Sequence, residues 1–182
     1  MKYTRTLLST LVAAALALPL STAMAQGKTG TIKIGINETL SGMFVTVGLP
    51  PTTAIRLAIH EVNEKGIKVG DTTYRFEPVI VDNRSEGGAA VAGMTKLIED
   101  DKVKFVFGPT LSAFANQTQE ITVPAKAIHI SAAGSWQSLG YLSDPKKPLL
   151  FGTQLPLTTI AKIDIDAMKV LGAKKIAYIS AD

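Results

Sequence analysis

Apolar and polar residues alternate along several short segments of the chain. In residues 31–37, isoleucine stands at every second position, at Ile32, Ile34 and Ile36. A period of two is typical of a β-strand that buries one face. Other short apolar segments predict further strands over residues 74–81, 103–107, 128–131, 149–152 and 175–180.

Between these strands, apolar residues recur three and four positions apart, which is typical of amphipathic helices. Pro50 and Pro51 predict the start of the first helix, because proline is tolerated in a first turn, and Gly66 predicts its C-cap. The apolar face of this helix carries Ile55, Ala58, Ile59 and Val62. Further helices are predicted over residues 90–98, from Ser112 to near Pro124, and over residues 157–171.

The predicted order of elements is β-α-β-α-β-α-β, followed by an irregular stretch over residues 134–148. Right-handed crossovers between such strands build an open parallel sheet with helices on both faces, a doubly wound α/β fold. The last predicted strand, 175–180, is followed by only two residues. These cannot supply a neighbouring strand and a crossover helix, so we expect the sequence to be truncated.

The first 25 residues have the pattern of a signal peptide. Lys2 and Arg5 precede an apolar stretch over residues 7–20, and Ala23-Met24-Ala25 offers a cleavage signature before Gln26. This pattern predicts secretion to the periplasm, with an N-terminal membrane anchor as the alternative. No later apolar segment reaches the ~18 residues of a membrane helix, so no stable membrane insertion is expected after cleavage.

Composition removes several classes of function. Hydrophobic residues make up 46% of the 182 residues, which is too many for a disordered chain. Removing Lys2 and Arg5 with the leader lowers the formal net charge from +4 to +2, so no basic surface for nucleic acid is indicated. The sequence has no cysteine and only two histidines, so neither a disulfide nor a transition-metal site is expected. No cofactor is predicted.

The motifs of common enzymes are also missing. No Gly-x-Gly-x-x-Gly follows a strand, and neither a P-loop nor a Gly-x-Ser-x-Gly elbow occurs. His129 lies inside an apolar strand, which favours a structural histidine over a general base, and His60 lies on the polar side of a helix. Because no nucleophile–base pair can be named, the protein is expected not to be an enzyme.

Ligands of open parallel sheets bind beyond the carboxyl ends of the strands, near the switch point in strand order. The loops expected there carry hydroxyls and small residues: 38–48, which contains Ser41, then 82–88, 109–112 and 132–136. Ser112 stands at or near the start of the third helix, where free N–H groups and the dipole favour a carboxylate. Alternatively, Ser112 only caps its own helix.

Three further positions in these loops allow two interpretations each. Ser131 to Ser135 form a small-residue loop, which either lets a ligand approach the backbone or is an ordinary turn. Trp136 either forms an apolar wall for a ligand or packs between loops. Asp82 either binds an ammonium group or forms a turn and caps a helix.

Several short segments, taken in order, carry a family resemblance. They are Ile34-Gly35-Ile36, Leu40-Ser41-Gly42, residues 58–66, residues 105–109 ahead of Ser112, and residues 131–135. Over residues 31–182 the chain resembles the first half of a type I periplasmic solute-binding protein of the branched-chain amino acid (Leu/Ile/Val-binding) group.

The resemblance implies two doubly wound lobes that clamp a small solute and deliver it to the permease of an ABC importer. It places the Ser112 hydroxyl at the carboxylate of an amino acid or similar solute. The Ala133 carbonyl and the Ser135 hydroxyl fall where the family contacts the α-ammonium and the carboxylate. The chain departs from the family at Val47, where some members carry an aromatic residue. Trp136 is a candidate to replace that bulk, which would favour a larger or aromatic solute.

The resemblance also divides the chain. It implies a signal peptide at 1–25, a first α/β lobe at 26–152, a hinge crossing at 153–158 and the beginning of a second lobe at 159–182. The implied mechanism is hinge closure, in which the ligand shifts the population toward the closed form. Two alternatives stay open: a sensing domain that uses the same clamp, and a secreted doubly wound enzyme.

Overall fold

The structure is a computed structural model that describes residues 27–177, with the backbone alone at 137 and 138. Within this range the strands are β1 (Lys28–Glu38), β2 (Ile67–Val69), β3 (Thr72–Asp82), β4 (Phe105–Phe107), β5 (Ile128–Ser131) and β6 (Leu150–Gly152). The helices are α1 (Val45–Lys65), α2 (Gly87–Thr95), α3 (Ser112–Thr122), α4 (Ser135–Ser138) and α5 (Leu157–Val170). A π-helical turn at Lys96–Asp100 extends α2, and a 3₁₀ turn occupies Tyr141–Ser143.

The predicted signal peptide lies outside the described residues. So does the end of the last predicted strand, and its described part, residues 175–177, is not a strand.

The strands form one sheet in the order β2-β3-β1-β4-β5-β6. All neighbours run parallel except β2, which pairs antiparallel with β3. The predicted doubly wound α/β fold is therefore confirmed. The chain moves from β1 to β3 on one side and then to β4 on the other, so the switch point lies between β1 and β4.

The short strand β2 was not predicted. It forms a hairpin with β3 around Gly70, whose φ of 62° is the left-handed conformation that a tight turn requires. The Gly70-Asp71 pair was the available signal, because such pairs between apolar residues are typical of hairpin turns.

One face of the sheet is closed by α2 and α3. Its first core cluster consists of the buried residues Met94, Leu97, Val103 and Val106. A second cluster consists of Ala115, Ala133, Trp136 and Leu150. Gly35 of β1 points to this side, because a Cβ at Gly35 would lie 3.0 Å from Val103 Cγ1. We call this side the closed face.

The opposite side, the open face, carries α1. Since neighbouring strand residues point to opposite sides, Ile34 faces α1 while Gly35 faces the closed face. Between α1 and the sheet lies an apolar groove of about 370 Å³. Its lining includes the predicted apolar face of α1, namely Ile55, Ala58, Ile59 and Val62.

The predicted start of α1 at Pro50 is wrong, because the helix begins at Val45 and both prolines lie inside it. The first turn rests on the end of β1: a Cβ at Gly48 would overlap the backbone of Thr39. Pro50 and Pro51 have no N–H group to donate to the carbonyls of the first turn. The close packing of Gly48 on Thr39 holds that turn in place instead. The predicted end is confirmed, because Gly66 has φ of 75° and its N–H donates to Val62 O over 2.8 Å.

The helix α5 matches the prediction for residues 157–171, but its apolar side chains are not covered. Ile163 is 55% exposed and Val170 is 87% exposed. Among the described residues, no side chain of α5 is buried.

Candidate functional site

The first loop of the candidate site follows β1 and is held by Asp82, at the end of β3. One carboxylate oxygen of Asp82 accepts from the backbone N–H groups of Leu40 at 3.0 Å, Ser41 at 3.2 Å and Arg84 at 2.8 Å. The other accepts from Ser41 Oγ at 2.6 Å. Partial desolvation raises the pKa of Asp82, but these hydrogen bonds outweigh it and hold the pKa below its usual value. Asp82 therefore serves as a turn former, and the predicted contact Ser41 is exposed with its hydroxyl on Asp82.

A buried polar network fixes the same loop from behind. Thr39 Oγ1 donates to Asn83 Oδ1 at 2.9 Å, and Asn83 Nδ2 donates to Asn37 Oδ1 at 3.3 Å. Asn37 Nδ2 in turn donates to Ala90 O of α2 at 2.8 Å. The ends of β1 and β3 are therefore tied to the closed face. This network was not predicted from the sequence.

Glu38, the last residue of β1, was also not predicted from the sequence. It is only 1% exposed, and its Oε1 accepts from Thr110 Oγ1 at 2.7 Å. Its Oε2 has no hydrogen-bond partner among the described residues. Burial raises the pKa of Glu38, although the Thr110 hydroxyl and the backbone N–H groups of Thr110 and Thr39 oppose the increase.

The turn after β4 passes between Glu38 and His129. Gly108 has φ of 76°, and a Cβ there would overlap Glu38 Oε1 and Asn37 O, so this close approach requires glycine. His129 Nε2 lies 2.6 Å from Gly108 O. Because a carbonyl only accepts, Nε2 carries the proton, and Nδ1 accepts from Thr122 Oγ1 at 2.8 Å.

Burial lowers the pKa of His129 to about 4, while the bond to Gly108 O opposes the decrease. The ring is therefore neutral near neutral pH. Both of its nitrogens are engaged by the fold, and the prediction of a structural histidine is confirmed.

The loop after β5 folds onto the same turn. Ser131 Oγ donates to Pro109 O at 2.5 Å and accepts from Ala133 N at 3.0 Å. Ala133, a predicted contact, is 2% exposed, and its carbonyl accepts from Trp136 N at 3.1 Å. The Ala133 carbonyl oxygen, which was predicted to contact the α-ammonium group of a solute, therefore already accepts one hydrogen bond within the protein.

Trp136 is fully buried and stands edge-on to His129, with ring centroids 4.8 Å apart and an interplanar angle of 86°. Its other neighbours are the small and apolar residues of the second core cluster. Trp136 therefore packs in the core, in line with the packing interpretation, and its ring has no exposed surface that could contact a solute.

The structure brings Ser112 and Ser135 together. Ser112 is the first residue of α3, the N-cap position is Leu111, and no side-chain cap bond forms there. Ser112 Oγ instead accepts from Ser135 N at 3.5 Å, and Ser135 Oγ donates to Asn116 Oδ1 at 3.1 Å. All three side chains are partly exposed. Asn116 was not predicted, although it lies four residues after Ser112 and so on the same side of α3.

A cavity of about 200 Å³ lies at the carboxyl ends of β1, β4 and β5, and we call it the switch-point cavity. Its polar lining is Glu38, Thr110, Ser131 and Thr153, and its apolar lining includes Ala54, Ile55 and Phe107. None of the contacts predicted from the sequence, Ser41, Ser112, Ala133, Ser135 and Trp136, lines this cavity.

Residues 27–177 contain neither a metal-binding cluster nor a membrane-spanning helix. No group of three or more histidine, aspartate or glutamate side chains there is arranged to hold a metal ion. In the same range, no helix combines the length and the apolar composition of a membrane span.

A family model described as periplasmic binding protein matches residues 31–182. The chain belongs to the periplasmic binding protein family. The predicted resemblance is thereby confirmed, and two solved structures of substrate-binding proteins support it. The branched-chain amino acid transporter substrate binding protein LivJ from Streptococcus pneumoniae, solved with isoleucine, is 27% identical, with a TM-score of 0.56 over 70% of this chain and 34% of its own. An ABC transporter substrate-binding protein from Sphaerobacter thermophilus is 29% identical, with a TM-score of 0.63 over 79% and 38%.

A third structure shares the fold of this periplasmic binding protein. It is an ABC transporter solute binding protein from R. palustris in complex with 4-hydroxybenzoate, 24% identical, with a TM-score of 0.63 over 81% of this chain and 38% of its own. The chain thus spans between a third and two fifths of the length of these structures. These relatives are substrate-binding proteins, which fits the expectation that this family member is not an enzyme.

Proposed function

We propose that this periplasmic binding protein is the extracytoplasmic solute-binding component of an ABC transporter. It captures an amino acid or a similar small carboxylate between two lobes and delivers it to an inner-membrane permease. The observation that carries the proposal is the proximity of Ser112 and Ser135 at the start of α3, where Ser135 N donates to Ser112 Oγ at 3.5 Å and both side chains are partly exposed.

The start of α3 suits a carboxylate for electrostatic reasons. The first N–H groups of a helix lack intrahelical acceptors, and the helix dipole adds partial positive charge. The first turn of α3 contains no acidic residue that would compete for this position. Two neutral hydroxyls and these N–H groups hold an anion without a buried protein cation.

The class of solute is inferred from what the relatives bind. LivJ was solved with isoleucine, and the R. palustris protein with 4-hydroxybenzoate. These ligands differ in size and in ring character, but both carry a carboxylate. A carboxylate site at Ser112 and Ser135 is the recognition element that both types of ligand share.

The proposal includes the division of the chain made from the sequence. Residues 1–25 are a signal peptide that directs the protein to the periplasm, 26–152 belong to the first lobe, and 159–182 begin the second. Residues 153–158 are the hinge crossing, where β6 has ended and α5 begins at Leu157. Thr153 N donates to Ser131 O at 3.0 Å, so the start of this crossing is attached to β5.

Calorimetry with the purified protein tests the carboxylate site. Branched-chain amino acids, aromatic acids and matching amides are titrated into the protein, and the carboxylates are expected to bind without being turned over. Ser112→Ala and Ser135→Ala each remove a hydrogen bond to a charged group, so each is expected to weaken binding about tenfold or more. The matched control is Ser143→Ala, at an exposed position in the 3₁₀ turn. Unchanged affinity in both site variants would contradict the assignment.

A further inference from the structure

Among the residues that the structure describes, Glu38 is the one acidic side chain that lines the switch-point cavity, and no lysine, arginine or histidine lines it. It stands at the end of the central strand β1, beside the change in strand order. This is the position at which open parallel sheets receive their ligands. A buried carboxylate there without a cation is a costly arrangement that the fold alone does not require.

One oxygen of the Glu38 carboxyl group has a hydrogen-bond partner among the described residues and the other has none. Oε1 accepts from Thr110 Oγ1 at 2.7 Å, which fixes the orientation of the side chain. Oε2 is buried and lacks a partner among the described residues. Leaving a buried polar atom unpaired is energetically unfavourable, so such an atom calls for a ligand or a water molecule.

Protonation of Glu38 does not provide Oε2 with a hydrogen-bond partner. A protonated Oε2 becomes a donor, and a donor at this position needs an acceptor that the surrounding side chains do not provide. The other two hydroxyls of the lining donate elsewhere, Ser131 Oγ to Pro109 O and Thr153 Oγ1 to Ser131 O. The missing partner must therefore come from outside the described chain.

We propose that Glu38 is a specificity-determining residue whose Oε2 accepts a hydrogen bond from a donor group of the bound solute, either an ammonium or a hydroxyl. The cavity of about 200 Å³ has room for such a group. This inference rests on the proposed solute-binding function and adds to it a second recognition point, separate from the carboxylate site.

Matched solute pairs test the proposal by calorimetry. Leucine is compared with 4-methylpentanoate, and 4-hydroxybenzoate with benzoate, because each pair differs only in the donor group. The protein is expected to bind the donor-bearing member of one pair at least tenfold more tightly. Glu38→Gln is expected to reduce this preference at least tenfold, while Glu61→Gln, a change at an exposed residue of α1, leaves it unchanged. The pair that responds distinguishes an ammonium from a hydroxyl.

Equal affinity within both pairs, or a preference that survives in Glu38→Gln, would overturn the proposal; a cavity that holds only water gives this result. Probes without a carboxylate, 3-methylbutylamine and phenol, separate the two claims. If they bind in a Glu38-dependent manner while the acids do not, the Glu38 proposal holds and the carboxylate site fails. If the acids bind with no donor preference, the carboxylate site holds and the Glu38 proposal fails. If no probe binds, both fail.

A second variant covers the case in which Glu38→Gln does not fold, as judged by circular dichroism. Thr110→Val removes the hydroxyl that orients Oε1 but keeps the carboxylate. The donor preference is expected to fall about threefold or more in this variant, because the free carboxyl group rotates. A preference unchanged in Thr110→Val would then count against the proposal.

Discussion

The two faces of the sheet differ in how completely the described chain covers them. On the closed face, Met94, Leu97 and Val106 have no exposed surface, and the polar network from Asn37 reaches α2. On the open face, only Gly48 and Thr52 of α1 are buried, and the apolar groove remains between this helix and the sheet.

The alternation of β1 connects this difference to the candidate site. Asn37 points to the closed face and is anchored there, while Glu38 continues the open-face series of Ile34 and Ile36. The groove and the switch-point cavity share Ala54, Ile55 and Phe107 in their linings. The closed face therefore fixes the loops in position, while the groove and the switch-point cavity lie on the open face.

The largest expected effect is on packing. Leu97→Ala empties a fully buried site on the closed face and is expected to lower the free energy of unfolding by about 3 to 5 kcal/mol. Ile59→Ala on the open face, where the side chain is only partly buried, is expected to cost about 1 kcal/mol. Urea denaturation of both variants measures the difference. Equal losses would mean that the two faces are equally packed.

The next effect is the acid sensitivity of the closed face. The pKa of His129 is about 4 in the folded protein, and it is about 6.5 in an unfolded chain. Above pH 6.5 the His129 ring is neutral in the folded and in the unfolded protein. Between pH 6.5 and pH 4 the ring is protonated in the unfolded protein but stays neutral in the folded protein. Stability is therefore expected to fall between pH 6.5 and pH 4, by up to about 3 kcal/mol. In His129→Gln this part of the pH dependence is expected to vanish when stability is followed by chemical denaturation across that range; a profile parallel to that of the unmodified protein would refute it.

The smallest effect, of opposite sign, belongs to Glu38 on the open face. Burial raises its folded pKa above the value of 4.5, so the folded state holds a proton more readily than the unfolded state. This contribution to stability is present at low pH and is lost as the pH rises through the raised pKa. In Glu38→Gln this part of the pH dependence is expected to vanish, because an amide does not titrate, and the change is expected to be about 1 kcal/mol. The control Glu61→Gln is expected to keep the pH dependence of the unmodified protein, and a profile of Glu38→Gln parallel to that of the unmodified protein would contradict the assignment.

Local patterns in the sequence predicted much of this architecture. The period of two located β1, and the glycine at 66 located the end of α1, because both depend on neighbours in the sequence. The early start of α1 was missed because the packing of Gly48 on Thr39 is a tertiary contact.

The candidate site was predicted less completely for the same reason. Ser112 and Ser135 were identified by their places in the loops and by resemblance, and the structure brings them together, although their contact with a solute stays a prediction. Glu38 was missed because its partner Thr110 lies 72 residues away along the chain. No periodicity shows that these two side chains meet.

The turn at Gly108 has a consequence for how this protein can vary. A side chain at position 108 would overlap the carboxyl group of Glu38, and its backbone has a positive φ. A smaller residue at 38 is therefore expected to relieve one obstacle to a side chain at 108, while the overlap with Asn37 O and the backbone strain remain. The effects of substitutions at the two positions should depend on one another, so the order in which they arise decides which variants are accessible.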